Sequence, residues 1–265
     1  MEKSIKLAVT GKGGVGKTTV SSLLCRAFVD IGYSVLAVDA DPDANLATAI
    51  GFSDDIDIPP LTEMKQLIEE RTGAQPGAVG SFFKLNPKVD DLPEKLWKEK
   101  DGIKLLRMGT VKKGGGGCIC PESAMLKTLV QNLLLFRKEA VIMDMEAGIE
   151  HLGRATAQAV NPLIVVVEPG KRSIETARQI KSLAADIKLE NIAIIANKVR
   201  TQHDIDFITR EAGSIPILGF LPFKDDVLKA DMESLPPWEV CPEALVLIKE
   251  IIEKLTGVNV RETET

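Results

Sequence analysis

Short apolar runs rich in Val, Ile, Leu and Ala alternate along the chain with longer segments of helical period. The runs stand at Ile5 to Val9, Ser34 to Val38, Ala140 to Met143, Leu163 to Val167, Ile192 to Ala196 and Ile215 to Leu221. Runs of strand length with few polar breaks predict strands buried on both faces, and the helical segments between them predict βαβ crossovers. The expected fold class is therefore α/β, a mostly parallel sheet with helices on both faces. Ligands of such sheets bind beyond the carboxyl ends of the strands, which directs attention to the loops there.

Between Phe52 and Gly102 the alternation breaks into acidic and proline-containing pieces, SDDIDIPP and NPKVDDLPEK, around a predicted helix from Leu61 to Thr72. No independent core period appears in it. The expectation is a single domain over 1–265 with an insertion at about 52–102 packed on the sheet. Ile103 to Met108 reads as a strand leading into a glycine run. The last predicted helix, Glu243 to Leu255, places Leu247, Ile248, Ile251, Ile252 and Leu255 on one face, while Glu243, Glu250 and Glu253 offset Lys249 and Lys254. A membrane-surface helix carries a strongly basic polar face, so docking on the sheet is the expected use.

The first loop of interest is GKGGVGKTT, Gly11 to Thr19, which contains G-x-x-x-x-G-K-[ST]. Its glycines let successive backbone N–H groups converge on phosphate oxygens, Lys17 adds a point charge, and the Thr18 hydroxyl suits Mg²⁺. The motif follows a predicted strand and opens a predicted helix, the context that the chemistry requires. The candidate nucleotide-binding residues are Gly11, Lys12, Gly13, Gly14, Val15, Gly16, Lys17, Thr18 and Thr19, and the fold becomes a P-loop NTPase. Lys12 lies outside the minimal pattern. It is either a solvated lysine or a cation that reaches a phosphate held by a second copy of the chain, as an arginine finger does.

VDADPDANL follows the second strand with Asp39, Asp41 and Asp43 at alternate positions. Turn chemistry accounts for all three, yet the loop leaves a strand expected beside the P-loop strand. One carboxylate there can orient the attacking water or sense Mg²⁺; Asp41 is the first candidate and Asp39 the second. The strand EAVIMD ends in Asp144, the Walker B position for holding Mg²⁺. Beyond it, Gly148 offers a backbone N–H that can approach the γ-phosphate. Glu146 and Glu150 read as solvated acids.

IIANKVR ends a further strand in Asn197 and Lys198, both candidate nucleotide contacts. Guanine-specific NTPases carry an Asp two residues after the N-K pair. Arg200 stands there instead, which favours adenine with Asn197 as its reader.

Composition narrows the classes. The formal charge is −5 and aromatics are 4% of residues, which argues against a basic groove with stacking rings for nucleic acid. No apolar stretch is long enough to span a bilayer and no secretory signal is evident, so the expected setting is cytoplasmic, with no nucleic acid and no membrane as partners.

In a reducing setting four cysteines do not make a disulfide framework. Cys118 and Cys120 lie in KKGGGGCICPES, where the glycine run gives the backbone freedom for two thiolates to face one ion. Two sulfurs leave a divalent ion half-coordinated, and a two-fold dimer doubles them to a four-sulfur set suited to Zn²⁺ or Ni²⁺. Lys112 and Lys113 favour the thiolate form. The pair also fits two other readings: small apolar residues after a flexible loop, and half of the ligands of an iron–sulfur cluster. Cys25 and Cys241 read as packing residues. His151 and His203 have no partner at metal-ligand spacing.

Taken together, GKGGVGKTT, DADPD and DMEAG resemble the dimeric "deviant Walker A" ATPases, among them the nitrogenase iron protein and the septum-site and partition ATPases. Within that class LNPKVDDL, RMGTVKKGGGGCICPES, MDMEAGIEHLGRAT and NKVR are similar to the nickel-insertion accessory ATPases of carbon monoxide dehydrogenase. The resemblance implies a Mg-dependent ATPase that binds ATP and ADP and works as a homodimer. Lys12 would act across the interface, Lys17 and Thr18 at phosphate and Mg²⁺, Asp41 in switch I and Asp144 at the start of switch II. It implies Ni²⁺ or Zn²⁺ at a C-x-C shared between protomers and carbon monoxide dehydrogenase, or else acetyl-CoA synthase, as client. An iron–sulfur or electron-transfer ATPase is the alternative.

Overall fold

A computed structural model describes residues 4–41, 43–53, 55–74, 82, 84, 96–109, 128, 139–146 and 162–257. In chain order the elements are β1 (Ile5–Thr10), α1 (Lys17–Asp30), β2 (Ser34–Ala40), α2 (Leu46–Ala49), a 3-10 turn (Leu61–Glu63), α3 (Lys65–Thr72), β3 (Lys98–Lys100) and β4 (Ile103–Arg107). They continue as β5 (Glu139–Met145), β6 (Leu163–Val167), α4 (Lys171–Asp186), β7 (Ile192–Val199), α5 (Gln202–Ala212), β8 (Ile217–Pro222), α6 (Asp225–Met232), α7 (Pro237–Val240) and α8 (Pro242–Thr256). The sheet order is β3-β4-β2-β5-β1-β6-β7-β8, parallel throughout except for the antiparallel edge strand β3. The expected mostly parallel sheet is thus observed.

The strand residues sort by parity onto two faces, because successive side chains of a strand point to opposite sides. In β6, Leu163, Val165 and Val167 pack with Ile174, Ala177 and Ile180 of α4. The intervening Ile164 and Val166 pack on the other face with residues of α1 and α8 such as Leu24, Phe28, Ile248 and Ile252. Both faces are covered, which is why these strands read as continuous apolar runs. The apolar stripe of the last helix docks on the sheet as expected, with Ile248, Ile251 and Ile252 buried. Among the described residues no helix is long and apolar enough to cross a membrane.

Two local readings differ from the structure. The segment 61–72 is split at Met64, whose φ of −79° and ψ of 65° lie outside the helical region. The first part is held instead to the sheet: Thr62 N–H donates to the Met108 carbonyl at 3.1 Å, and Met108 N–H donates to the Asp39 carbonyl at 2.8 Å. Leu61, Ile68 and Leu96 from the irregular region join the core. The other difference is β3, which was not foreseen. Its sequence, KEK, is fully polar and exposed, so no hydrophobic pattern announces it, and such charge is how edge strands resist further pairing.

Candidate functional site

The P-loop joins β1 to α1 in the centre of the sheet. Gly11 has φ 146°, and a Cβ there would lie 2.3 Å from the Val166 carbonyl oxygen of β6, so only glycine permits this approach. Gly16 has φ 91°, and its missing Cβ leaves the space into which Asn197 reaches. Lys17 opens α1 and is buried, while Lys12 is half-buried and Gly13 and Gly14 are exposed. Among the described residues the Lys12 ammonium has no hydrogen-bond or ion-pair partner.

Asp144 ends the apolar part of β5 and is 1% exposed. Its carboxylate accepts from the Thr18 hydroxyl at 2.7 Å and from the Ser21 hydroxyl at 3.1 Å. Burial pushes its pKa up to about 6, against the pull of Thr18, Ser21 and Lys17, with the Asp41 charge adding to the rise. On the neighbouring strand Asp39 is equally buried and stands in register with Asp144 on one side and Arg107 on the other. Its carboxylate accepts from the amides of Leu46 at 3.1 Å and Asp41 at 3.3 Å. Burial, and then the Asp144 charge, raise its pKa to about 7. Asp41 lies farther out, half-buried, and accepts the Asp43 amide at 3.0 Å in a local turn.

At the end of β7 the Asn197 amide group donates to the Val15 carbonyl at 2.9 Å, and the Lys198 ammonium donates to the Gly14 carbonyl at 2.5 Å. Arg200 lies with its guanidinium 3.6 Å from the centre of the Phe223 ring. The structure therefore gathers Lys17, Thr18, Asp39, Asp144 and Asn197 around one loop at the carboxyl edge of the sheet. Cys25 and Cys241 are buried, in agreement with packing roles, and His203 is exposed on α5. Lys112, Lys113, Cys118, Cys120, Gly148, Glu150 and His151 lie outside the described residues. Among those that are described, no group of three or more His, Cys, Asp or Glu side chains is arranged to hold a metal ion.

Several contributors were absent from the sequence reading. Ser21 is one helical turn beyond Thr18, on the same face of α1, so the i, i+3 spacing from that candidate Mg²⁺ residue could have found it. Thr10 donates to the Glu146 carbonyl at 3.0 Å and ties the end of β1 to the segment after β5. Phe223 and Glu168 follow the ends of β8 and β6, and nothing short of the fold brings them to this edge.

The chain matches the CobQ/CobB/MinD/ParA nucleotide-binding domain over residues 6–238. It is 46% identical over 257 residues to the carbon monoxide dehydrogenase accessory protein CooC of Rhodospirillum rubrum, covering 95% of this chain and 97% of that protein. It is also 46% identical to an uncharacterized ATP-binding protein of Methanocaldococcus jannaschii, over 88% of this chain and 90% of the relative. The fold agrees with the MinC:MinD cell division complex of Aquifex aeolicus, with a TM-score of 0.67, 21% identity and 96% of each chain covered. A ParA family ATPase of Chlorobium tepidum matches with the same TM-score at 17% identity over 95% of this chain and 98% of that one. With its P-loop seated between β1 and α1 and Asp144 bonded to Thr18, the chain belongs to the CobQ/CobB/MinD/ParA nucleotide-binding family and, within it, to the CooC family of P-loop ATPases.

Proposed function

We propose that this ATPase is a nickel insertion factor for carbon monoxide dehydrogenase, working as a homodimer whose closure depends on nucleotide and on metal. The observation that carries the reading is the 46% identity, over nearly the whole of both chains, to a protein named as an accessory of that enzyme. The cargo is read from Cys118 and Cys120, which supply two thiolates per protomer and four per dimer, enough for one Ni²⁺ or Zn²⁺.

The nucleotide site supports the ATPase half in physical terms. Mg²⁺ fits Asp144, a carboxylate whose burial leaves its charge poorly compensated; Thr18 and Asp144 would hold the ion, which neutralises phosphate charge when bound. Lys17 and the P-loop amides would cradle the phosphates. Asn197, with its amide nitrogen already donating to Val15, keeps its carbonyl oxygen as an acceptor suited to the amino group of adenine. Lys12 would cross to the nucleotide of the second protomer. Asp41, the first candidate for orienting water or sensing Mg²⁺, and Gly148 complete the assignment, with Asp39 as the second candidate for that role. Coupling follows if the closed dimer holds the metal more tightly than the open one, since differential affinity is all that a ligand can contribute to such an equilibrium.

The deciding experiment is a Ni²⁺ titration combined with gel filtration, for the parent and the Cys118→Ser/Cys120→Ser double variant, without nucleotide and with ADP or ATP. The parent should bind about one Ni²⁺ per dimer and the double variant none. A double variant that dimerises and binds Ni²⁺ like the parent would sink the proposal. Stoichiometric iron and sulfide in anaerobically purified protein would move it to a cluster carrier.

A further inference from the structure

β7 ends in a way that a regular strand does not. Consecutive strand side chains point to opposite faces, so Asn197 and Lys198 should diverge. Both instead reach the P-loop, at the Val15 and Gly14 carbonyls. Two local features make this possible. The register with β8 shifts between Ala196 and Val199, and Lys198 adopts φ 59°, the left-handed region that residues with a Cβ seldom occupy. Bulges beside functional sites serve to re-aim a side chain, and backbone strain persists where the surroundings enforce it. Here the enforcing contacts are visible. The Lys198 ammonium sits between the Gly14 carbonyl and the Glu168 carboxylate, 3.8 Å away. The Glu168 amide in turn donates to the Ser173 hydroxyl in the first turn of α4, at 3.0 Å.

We infer that Lys198 is a positioning residue, a strut from Glu168 at the end of β6 to the Gly14 peptide that sets the orientation of the phosphate-binding loop. The reason is peptide planarity. In a trans peptide the C=O and the following N–H point in opposite directions. Holding the Gly14 oxygen toward Lys198 therefore orients the Val15 N–H, and holding the Val15 oxygen toward Asn197 orients the Gly16 N–H. The Val15 N–H closes a long turn bond of 3.4 Å onto the Lys12 carbonyl, so the same strut places the turn that carries Lys12. Gly14, with φ 81° and open space around it, has no side chain of its own to hold the loop. This inference rests on the P-loop ATPase assignment and is independent of the metal cargo and the client.

A loop-setting role and a base-contacting role predict different losses. The test compares parent protein freed of nickel and zinc with Lys198→Met, which keeps the aliphatic stem and removes the charge. Two probes are titrated in the presence of Mg²⁺: ADP, and inorganic tripolyphosphate, which has no base. The expected result is that both bind about tenfold more weakly, by the same factor, the loss appropriate to a charge-assisted hydrogen bond. Lys198→Arg should restore most of the affinity. Weakened ADP with unchanged tripolyphosphate would make Lys198 a base contact and overturn the proposal. Unchanged affinity for both, with only a lower Tm, would reduce it to a stabilising contact and overturn it equally. Should Lys198→Met not fold, Glu168→Gln loosens the far end of the strut and should weaken both probes about threefold; no change in either would overturn it.

Discussion

Asp39 and Asp144 face each other across adjacent parallel strands, β2 and β5, at the same register and with both carboxyl groups buried. Burial is the first cause of both folded pKa values, about 7 for Asp39 and about 6 for Asp144; the Asp144 charge adds to the rise at Asp39, and the Asp41 charge to that at Asp144. Both values are raised above those of the unfolded chain. The stabilisation they give the nucleotide-free, metal-free protein is thus complete below about pH 4 and is lost as pH rises through 6 to 7. Asp39→Asn should gain stability relative to the parent as pH rises from 5.5 to 8, by up to about 1.4 kcal/mol per pH unit. Urea denaturation of both proteins at the two pH values checks this. A difference that stays constant with pH would show that the Asp39 pKa is not raised on folding.

Ser21→Ala should weaken Mg²⁺-dependent ATP hydrolysis roughly 10- to 100-fold, the usual cost of removing a group that orients a metal ligand. The Ser21 hydroxyl holds one oxygen of Asp144 while Thr18 holds the other. Steady-state turnover across a Mg²⁺ titration reads the effect. The defect should be partly overcome at high Mg²⁺; full activity at low Mg²⁺ would refute the orienting role.

Lys12→Ala should separate binding from turnover. The side chain has no partner within its own protomer among the described residues, so ADP affinity should change little, whereas a cation supplied in trans is worth on the order of 10³-fold in kcat. Single-turnover hydrolysis beside ADP titration decides it. A parallel fall in ADP affinity would instead place Lys12 in its own protomer's site.

Thiol reactivity offers an inexpensive check on which cysteines are available. Cys25 is buried within α1 and its thiol pKa is raised by burial and by the Asp144 charge; Cys241 is raised too, by burial first. Thiolates, not thiols, react with disulfide reagents. The native protein should therefore show at most two fast thiols, and the Cys118→Ser/Cys120→Ser variant none. A fast thiol remaining in that variant would mean that α1 or the start of α8 opens readily.

Much of this arrangement was legible because it depends on local pattern. The apolar runs that became β1, β2, β5, β6 and β7 are buried on both faces, and a strand so placed tolerates almost nothing polar until it reaches the carboxyl edge. Asp39, Asp144 and Asn197 therefore announced themselves by interrupting such runs. Harder to read were residues whose roles exist only after folding. The polar edge strand Lys98–Lys100 needs only a neighbour to pair with, and Glu168 matters because β6 lies beside β1. Within the DADPD loop the sequence puts Asp41 first and Asp39 second as candidates, but it does not say which acid meets Asp144; the sheet register sets Asp39 beside Asp144, while Asp41 stands at the turn.

The hydrogen bond from Met108 to the Asp39 carbonyl holds the chain to the sheet just before Gly109. Cys118 follows Gly109 by nine residues, and a chain advances at most about 3.3–3.6 Å per residue, so its Cα lies no more than about 32 Å from that of Gly109. If a metal is carried on that thiolate, as proposed, it stays within this reach of the carboxyl edge of the sheet. A receiving protein would then have to come to the side of the molecule where the P-loop lies.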